Sequence, residues 1–260
     1  MAGKSAAVGG GSAGLGFATA AALAAEGAHV VIASRSEARV RDAVARLEGI
    51  ARGGRVSGLV ADLATEEGCT ALVLAAEERH GGIDCLLLNG GGPPAGRALE
   101  PDDAVWRQAF EAVVLSVVRQ VRLAAPRMAA RGGGRILAVT STSVRQPIAD
   151  LVLSNALRAA VVGFLKSVAN EFAARNVLVN CLAPGRIATD RIVALDAARA
   201  QREGAEAQDL LRHHLAGIPA GRYGSADEYG RVAAFLLSFA NTYVTGTHAH
   251  VDGGMVRAPL

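Results

Sequence analysis

The stretch Gly10-Gly11-Ser12-Ala13-Gly14-Leu15-Gly16 decides the fold of this chain. It directly follows the apolar run Ala6-Ala7-Val8 and precedes an Ala-rich, helix-forming run over residues 17–26. Glycine lets a backbone turn tightly, and it lets a phosphate approach without a Cβ in the way. The N-terminus of the helix that follows would point unpaired N–H groups and a positive dipole end at an anion. The stretch therefore predicts a strand, a phosphate-binding turn and a helix, in that order.

The same alternation of short aliphatic runs and helical stretches continues along the whole chain. Predicted strands cover residues 5–8, 28–33, 55–60, 85–88, 135–140, 177–182 and 249–251. Predicted helices cover residues 17–26, 37–47, 66–79, 104–131, 153–174 and 227–238. Nearly unbroken apolar strands between helices are typical of a parallel sheet that is covered on both faces. No linker or repeat interrupts the pattern, so we predict one doubly wound α/β domain over residues 1–260.

Composition and charge narrow the class of protein. The chain has 260 residues, of which 51% are hydrophobic, and a net charge of only +3. It has no basic block interleaved with aromatic residues, so we expect no nucleic-acid partner. The three cysteines (Cys69, Cys85 and Cys181) form neither a disulfide framework nor a zinc pattern, which fits a reducing cytoplasm. With no signal-peptide pattern and no run of about 18 apolar residues, we expect a cytoplasmic protein without a membrane span.

A polar segment over residues 192–216 interrupts the alternation of strands and helices. It is rich in Ala, Arg, Gln and Glu. In a doubly wound fold, the loops beyond the carboxyl ends of the strands surround the ligand. A mobile helical lid over residues 190–217 is therefore one interpretation, and an exposed helical hairpin is the other. The pair His213-His214 falls in this segment, where we expect it to be solvated. No carboxylate cluster lies near it in sequence, so we predict no metal site.

Several further motifs agree with one family. The glycine pattern is similar to TGxxxGxG, with Gly9 in place of Thr, and Asn89-Gly90-Gly91 matches the end of an NNAG segment. Asp62-Leu63, Pro184-Gly185-Arg186-Ile187-Ala188-Thr189 and Val251-Asp252-Gly253-Gly254 occur in the expected order. Over essentially its whole length the chain resembles the short-chain dehydrogenase/reductase family, which implies a Rossmann-like fold and a nicotinamide cofactor. The resemblance implies these cofactor-binding residues: Gly10, Ser12, Gly14, Leu15, Gly16, Ser34, Arg35, Ser36, Asp62, Leu63, Asn89, Gly90, Pro184, Gly185, Ile187 and Thr189.

The segment Ser34-Arg35-Ser36 bears on which nicotinamide cofactor binds. Sites for NAD place an acid roughly 20 residues past the glycines, where it accepts from the ribose 2′-hydroxyl. No acid stands here. Arg35 can instead pair with a 2′-phosphate, and the two serines can donate to it. The sequence therefore favours NADP(H) over NAD(H), although an ordinary solvated role for Arg35 remains the alternative.

The catalytic positions depart from the family pattern. The family's Asn-Ser-Tyr-Lys set keeps its Ser as Ser141, but Ser154 stands at the Tyr position, Arg158 at the Lys position and Val113 at the Asn position. A serine hydroxyl is a much poorer acid than a phenol, and arginine stays protonated and cannot relay protons. In this departure the chain resembles an atypical subgroup of the family. The subgroup is named after 3-oxoacyl-(acyl-carrier-protein) reductases and lacks the Tyr/Lys pair.

The residues at these positions suggest a replacement. Ser141 with Ser154 or Asn155 could cradle a carbonyl oxygen as neutral donors, and Arg158 could stabilise an enolate or a carboxylate. The alternative interpretation is that Ser154 and Asn155 only cap the long helix that starts there, since both residue types are favoured N-caps.

Three functions remain open at this point. The first is an NADP(H)-dependent oxidoreductase that acts on a ketone or secondary alcohol through a remodelled proton relay. The second is a non-redox enzyme (an isomerase, cyclase or lyase) that reuses the pocket, and the third is a protein that binds NADP(H) without chemistry. We expect a small-molecule substrate, with an acyl or carrier-bound one left open. The resemblance also implies a homotetramer or homodimer built from the helices over residues 104–131 and 153–174.

Overall fold

A parallel sheet is built from the apolar runs of the chain. The computed structural model describes residues 1–204 and 206–258, and in these ranges its strands are β1 Ser5–Gly9, β2 His29–Ser34, β3 Val56–Val60, β4 Cys85–Leu88, β5 Gly134–Val139, β6 Val177–Pro184, β7 Ile187–Ala188, β8 Gly224–Ser225 and β9 His248–Val251. Seven of them form one parallel sheet in the order β3-β2-β1-β4-β5-β6-β9. The short strands β7 and β8 pair separately.

The helices alternate with these strands along the chain. They are α1 Gly14–Ala25, α2 Glu37–Glu48, α3 Glu66–His80, α4 Asp103–Phe110, α5 Ser116–Ala130, α6 Val152–Phe172, α7 Asp190–Glu203, α8 Ala207–Ala216 and α9 Ala226–Leu237. A π-helical turn, Glu111–Leu115, joins α4 to α5. The prediction of a single doubly wound, Rossmann-like α/β fold is confirmed.

Aliphatic side chains fill two core layers, one on each face of the sheet. One layer packs α3, α5 and α6 against the sheet, with Leu72, Val121 and Leu165 fully or almost fully buried. The other packs α1, α2 and α9 against the opposite face through residues such as Leu23 and Leu237. Chain order reverses on either side of β1, because β2 and β4 are both its neighbours. A doubly wound sheet opens a ligand crevice at such a switch point, beyond the carboxyl ends of its strands.

Some predicted elements differ from the observed ones. The single helix predicted over residues 104–131 is wrong in its middle, where the π-helical turn inserts an extra residue into the helical repeat and contains Val113. The polar segment predicted to be helical folds as α7 and α8. The pair β7–β8 was missed, because two-residue strands carry too short a pattern to detect.

One helical run is long and apolar enough to cross a membrane by length and composition alone. It covers residues 152–175, and its best 18-residue window has a mean hydropathy of 1.4. The sequence expectation of no such stretch holds only for uninterrupted apolar runs, since Arg158 and Lys166 interrupt this one. Core helices meet the same criterion, and here α6 buries Leu153, Leu157 and Val161 against the sheet.

Candidate active site

The turn after β1 has the backbone that its glycines predict. Gly10 and Gly14 have φ values of +57° and +54°, in the left-handed region that favours glycine. A Cβ on Gly16 would lie 2.2 Å from the carbonyl oxygen of Gly10, so only glycine fits there. Side-chain oxygens do not cap the start of α1, because its N-cap residue is Ala13. The backbone N–H groups in the first turn of α1 therefore remain available to an external acceptor. The phosphate of a dinucleotide would be such an acceptor.

The loop after β6 lies against this turn. A Cβ placed on Gly14 would be 3.6 Å from Cγ2 of Thr189, and a Cβ on Gly185 would be 2.5 Å from the Cα of Asp252. The loop over residues 184–189 thus contacts the glycine-rich turn through Thr189. The same loop contacts the distant segment over residues 251–254 through Gly185 and Asp252. Ile187 of the same loop is buried and pairs with Gly224 through β7 and β8.

The end of β2 is connected by a pair of hydroxyls to the glycine-rich turn over residues 10–16, which we call the cradle. Ser12 Oγ donates to Ser34 Oγ at 2.9 Å. The next residue, Arg35, is exposed. Within the described ranges no hydrogen bond or ion pair of its guanidinium is found. Ser36 caps α2 by accepting from the backbone N–H of Arg39 at 3.4 Å, which leaves its own proton to donate.

The ends of β3 and β4 border the crevice beside the glycine-rich turn. Asp62 Oδ1 accepts from the backbone N–H of Ala64 at 3.0 Å, which shapes the loop after β3. Leu63 is 8% exposed and lies against Gly9. Asn89 Nδ2 donates to the carbonyl oxygen of Gly9 at 3.1 Å and so joins β4 to the glycine-rich turn. Gly90 follows Asn89, and a Cβ placed on it would be in ordinary contact, 3.7 Å, with the carbonyl oxygen of Ala112.

Arg158 and Ser141 are brought together at the carboxyl end of β5. Arg158 Nη1 donates to the carbonyl oxygen of Val139 at 2.5 Å, two residues before Ser141. Burial lowers the pKa of the Arg158 guanidinium. Ser141 Oγ accepts from the backbone N–H of Ser143 at 3.1 Å, so its hydroxyl proton remains available to a ligand. Ser154 is half-buried one turn before Arg158 on α6.

The amide of Asn155 holds a loop. Its Oδ1 accepts from the backbone N–H of Ile148 at 3.2 Å, and its Nδ2 donates to the carbonyl oxygen of the same residue at 3.0 Å. One N–H of Asn155 is left for a substrate, so the predicted catalytic role remains a prediction. The alternative in which Ser154 and Asn155 cap the helix is wrong, because α6 begins at Val152 after Leu151 and has no side-chain cap.

Gln120 is a polar residue at this site that the sequence did not single out. It is 2% exposed and, with Arg158 and Val113, lines a cavity of about 10 Å³. Its Nε2 donates to the carbonyl oxygen of Ser116 at 3.0 Å, which fixes the orientation of the amide because that partner can only accept. Gln120 Oε1 has no hydrogen-bond partner among residues 1–204 and 206–258. The only available signal was a polar residue among the buried positions of α5.

The expectation for the two histidines of the polar segment is half wrong. His213 is exposed, as expected for a solvated residue, but His214 is only 6% exposed. The reason is that α8 turns the side chain of His214 toward Arg186 and Tyr223, which hydrogen-bond to its two ring nitrogens.

A glycine-rich turn at the switch point of a doubly wound parallel sheet, with Ser141 and an arginine at the end of β5, is the architecture of a Rossmann-type protein. The chain belongs to the short-chain dehydrogenase/reductase family: the family profile described as enoyl-(acyl carrier protein) reductase matches residues 10–256.

Relatives and solved structures agree with this assignment. The rabbit (Oryctolagus cuniculus) dehydrogenase/reductase SDR family member 4 is 36% identical over 242 residues, which cover 93% of this chain and 89% of that protein. The L-sorbose reductase of Gluconobacter frateurii, solved with NADPH and L-sorbose, is 34% identical. It aligns with a TM-score of 0.92 over 99% of this chain and 98% of its own.

The neighbours do not agree on one coenzyme. A 7α-hydroxysteroid dehydrogenase complexed with NADH is 28% identical to this chain, with a TM-score of 0.87 over 99% of this chain and 96% of its own. Similar folds therefore hold either nicotinamide coenzyme. The comparisons establish an oxidoreductase of the short-chain dehydrogenase/reductase type, and the coenzyme preference has to be argued from this chain's own residues.

Proposed function

We propose that this chain is an NADP(H)-dependent oxidoreductase that acts on a ketone or secondary alcohol through a remodelled proton relay. The observation that carries the proposal is the environment of Arg35 at the end of β2. Its guanidinium is exposed, no acid stands at the adjacent positions, and Ser34 beside it is hydrogen-bonded to Ser12 of the cradle. A 2′-phosphate placed there would meet a cation and hydroxyl donors, where an acid would repel it.

The retained cradle supports binding of the rest of the coenzyme. The uncapped amides of α1 suit the pyrophosphate, Leu63 and Asp62 suit the adenine end, and the loop from Pro184 to Thr189 suits the carboxamide. The coenzyme, when bound, supplies or accepts a hydride at its nicotinamide ring. The protein must therefore orient a carbonyl beside that ring and manage one proton.

Ser141 is our candidate for orienting the carbonyl, because its hydroxyl proton is not committed to another group. Ser154 is a second neutral donor. Arg158 holds a fixed positive charge at the end of β5, which would stabilise a developing alkoxide electrostatically without giving up a proton. In this scheme the proton reaches the oxygen through a serine hydroxyl and solvent, which makes the reaction slower than one with a phenol donor.

The proposal is tested by titrating the full chain with NADPH and NADH by calorimetry. We expect NADPH to bind at least tenfold more tightly. Arg35→Asp should weaken NADPH binding by on the order of 100-fold, since it replaces an attraction by a repulsion, and leave NADH within a few-fold. Arg41→Asp, an equal charge change at an exposed position of α2, is the matched control and should change neither. Tighter binding of NADH would contradict the coenzyme assignment.

A panel of ketones then tests the chemistry. Consumption of NADPH that is lost in Ser141→Ala supports the reductase. Turnover without any nicotinamide, unaffected by Arg35→Asp, would support instead a non-redox enzyme that uses the buried cation of Arg158 to stabilise an enolate. Tight NADPH binding with no product from either assay would support a binding protein.

The remaining partners follow from the resemblance rather than from a contact in the structure. We propose a small-molecule substrate and, in solution, a homodimer or homotetramer. The predicted contact helices correspond to α4, α5 and α6.

A further inference from the structure

Four polar side chains from four separate segments meet beneath α7 and α8. Arg186 comes from the turn between β6 and β7, Asp196 from α7, His214 from α8 and Tyr223 from the residue before β8. Arg186 Nη1 is 2.6 Å from Asp196 Oδ1, and Arg186 Nη2 is 2.8 Å from His214 Nε2. Tyr223 OH is 3.0 Å from His214 Nδ1 and 2.9 Å from Asp196 Oδ2. These contacts form a closed ring, which we call the lid ring.

The chemistry of the donors fixes the protons in the lid ring. A guanidinium can only donate, so Nε2 of His214 must accept from Arg186. A neutral imidazole then carries its proton on Nδ1, which donates to the oxygen of Tyr223. The hydroxyl of Tyr223 in turn donates to Asp196. Each of the four contacts of the ring pairs a donor with an acceptor only when His214 is uncharged.

The surroundings of His214 also disfavour a charge on its ring. The charged or titratable groups that face it are Arg186, Asp196 and Arg199, its neighbour His213 on the same helix, and Tyr223. Burial, followed by the positive charge of Arg186, lowers its pKa to about 4, while Asp196 acts in the opposite direction.

The lid ring lies next to the proposed coenzyme site. Arg186 is three residues before Thr189, and β7 between them pairs with β8, which directly follows Tyr223. At the other end of the same loop, Arg191 in the first turn of α7 donates to the carbonyl oxygen of Pro93 at 3.1 Å. The helices α7 and α8 are thus joined to the loop that carries Thr189 on one side and to the loop after β4 on the other.

We propose that His214 is a positioning residue whose neutral ring holds α7 and α8 as a lid closed onto the loop that carries Thr189, so that protonation of His214 shifts the lid toward its open state. Its role in catalysis rests on the proposed function, but the closure itself does not. A proton added to Nε2 would point at an N–H of Arg186, which removes that hydrogen bond and places two cations side by side.

The direction of the pH dependence follows from the two states of the ring. In an open lid His214 is solvated and takes up a proton near its ordinary pKa of about 6.5, whereas in the closed lid protonation is disfavoured. The closed state is therefore fully favoured above about pH 6.5. Below that pH the ratio of closed to open lid falls by up to tenfold for each pH unit, until the closed form itself takes up the proton.

Hydrogen exchange of the coenzyme-free full chain between pH 5 and 8 tests this proposal. After correction for the intrinsic rates, protection of the α7 and α8 amides should be constant above pH 6.5 and fall by up to tenfold per unit below it. His214→Gln can still accept and donate but cannot titrate, so its protection should not depend on pH. His213→Gln, changed at the exposed neighbour, should behave like the unaltered protein. Protection that is independent of pH in the unaltered protein would overturn the proposal.

Two further measurements keep the test independent of any one variant. Nitrogen NMR at pH 7 should find His214 with a proton on Nδ1 and a bare Nε2; the opposite tautomer would contradict the lid ring. Tyr223→Phe removes the hydroxyl that contacts both His214 and Asp196, and it should lower protection of α7 and α8 at every pH. If the exchange result holds but no nicotinamide coenzyme binds, the proposed function fails and the lid assignment stands.

Discussion

Two arginines have opposite environments, and each suits a different task. Arg35 is exposed, so it keeps its hydration until a phosphate binds and costs little free energy in the empty site. Arg158 has already been desolvated by folding, and it donates to the carbonyl oxygen of Val139. A charge that has already lost its water acts more strongly on a neighbouring group. The first arginine therefore suits recognition and the second suits electrostatic stabilisation.

Restoring the family's Tyr/Lys pair on α6 tests whether Ser154 and Arg158 occupy the positions of that pair. In the double variant Ser154→Tyr with Arg158→Lys, a phenol would stand where a proton is needed, with an ammonium to lower its pKa. We expect NADPH-dependent ketone reduction to rise by on the order of 100-fold, since a positioned general acid contributes this much or more. The rate of NADPH oxidation over a ketone panel measures the gain.

Ser141→Ala in the same background is the control and should abolish the gain. Ser143→Ala, which alters the other serine of the same turn, should preserve it. No gain over any ketone would mean that Ser154 and Arg158 do not occupy the positions assigned to them.

At the scale of elements, the π-helical turn between α4 and α5 is the feature with the clearest relation to the site. Such turns occur often at functional sites, because they insert one residue and redirect those that follow. Val113 lies in this turn and lines the same small cavity as Arg158 and Gln120. The backbone distortion is present at Val113, the residue that we align with the family's Asn. Gln120, two turns further along, is the amide that now reaches the cavity.

Substitution by alanine is expected to have opposite effects at two helical glycines, Gly16 and Gly163. Gly16→Ala would place its Cβ 2.2 Å from the carbonyl oxygen of Gly10, so the turn must shift. We expect lower stability and at least tenfold weaker NADPH binding. Gly163→Ala on α6 meets nothing within 4 Å and should raise the free energy of unfolding by about 0.5–1 kcal/mol, through helix propensity alone.

Urea unfolding and NADPH titration of both variants measure these effects. Equal behaviour of the two would contradict the close approach within the cradle. Tighter coenzyme binding by Gly16→Ala would contradict it as well.

At the scale of the whole molecule, several histidines couple folding to pH. Burial, followed by the neighbouring His250 and Arg145, lowers the pKa of His248 to about 4. Its Nε2 lies 3.0 Å from Thr140 Oγ1, which joins the edge strand β9 to the residue after β5. The unfolded chain therefore binds a proton at His248 at a higher pH than the folded chain does.

We expect the free energy of unfolding to be highest above about pH 6.5 and to decline as the pH falls from 6.5 toward 4. The sign follows because the folded-state pKa is the lower one, so protons favour the unfolded state in this window. Urea unfolding at steps of pH measures the slope. His248→Gln should reduce it by at most about 1.4 kcal/mol per pH unit, and by less where solvent screens the ring. An unchanged slope would show that His248 does not titrate in this window.

The layered architecture and the cradle could be predicted from residues that are close together in the chain. Apolar runs of strand length, separated by helical stretches, encode a covered parallel sheet because burial on both faces demands continuous apolar side chains. The glycines at 10, 14 and 16 encode the turn because positions 10 and 14 have left-handed dihedral angles that favour glycine and position 16 has no room for a Cβ. Such local constraints are legible in one sequence.

Only the tertiary structure decided how distant polar groups are used. Asn155 holds Ile148 through both atoms of its amide, Gln120 was overlooked, and His214 was taken for a solvated residue. Each outcome depends on partners that come from segments far apart in the sequence or on which side of a helix becomes buried. Hydrogen bonds of this kind are selected when packing excludes water, and no periodicity in the chain records them.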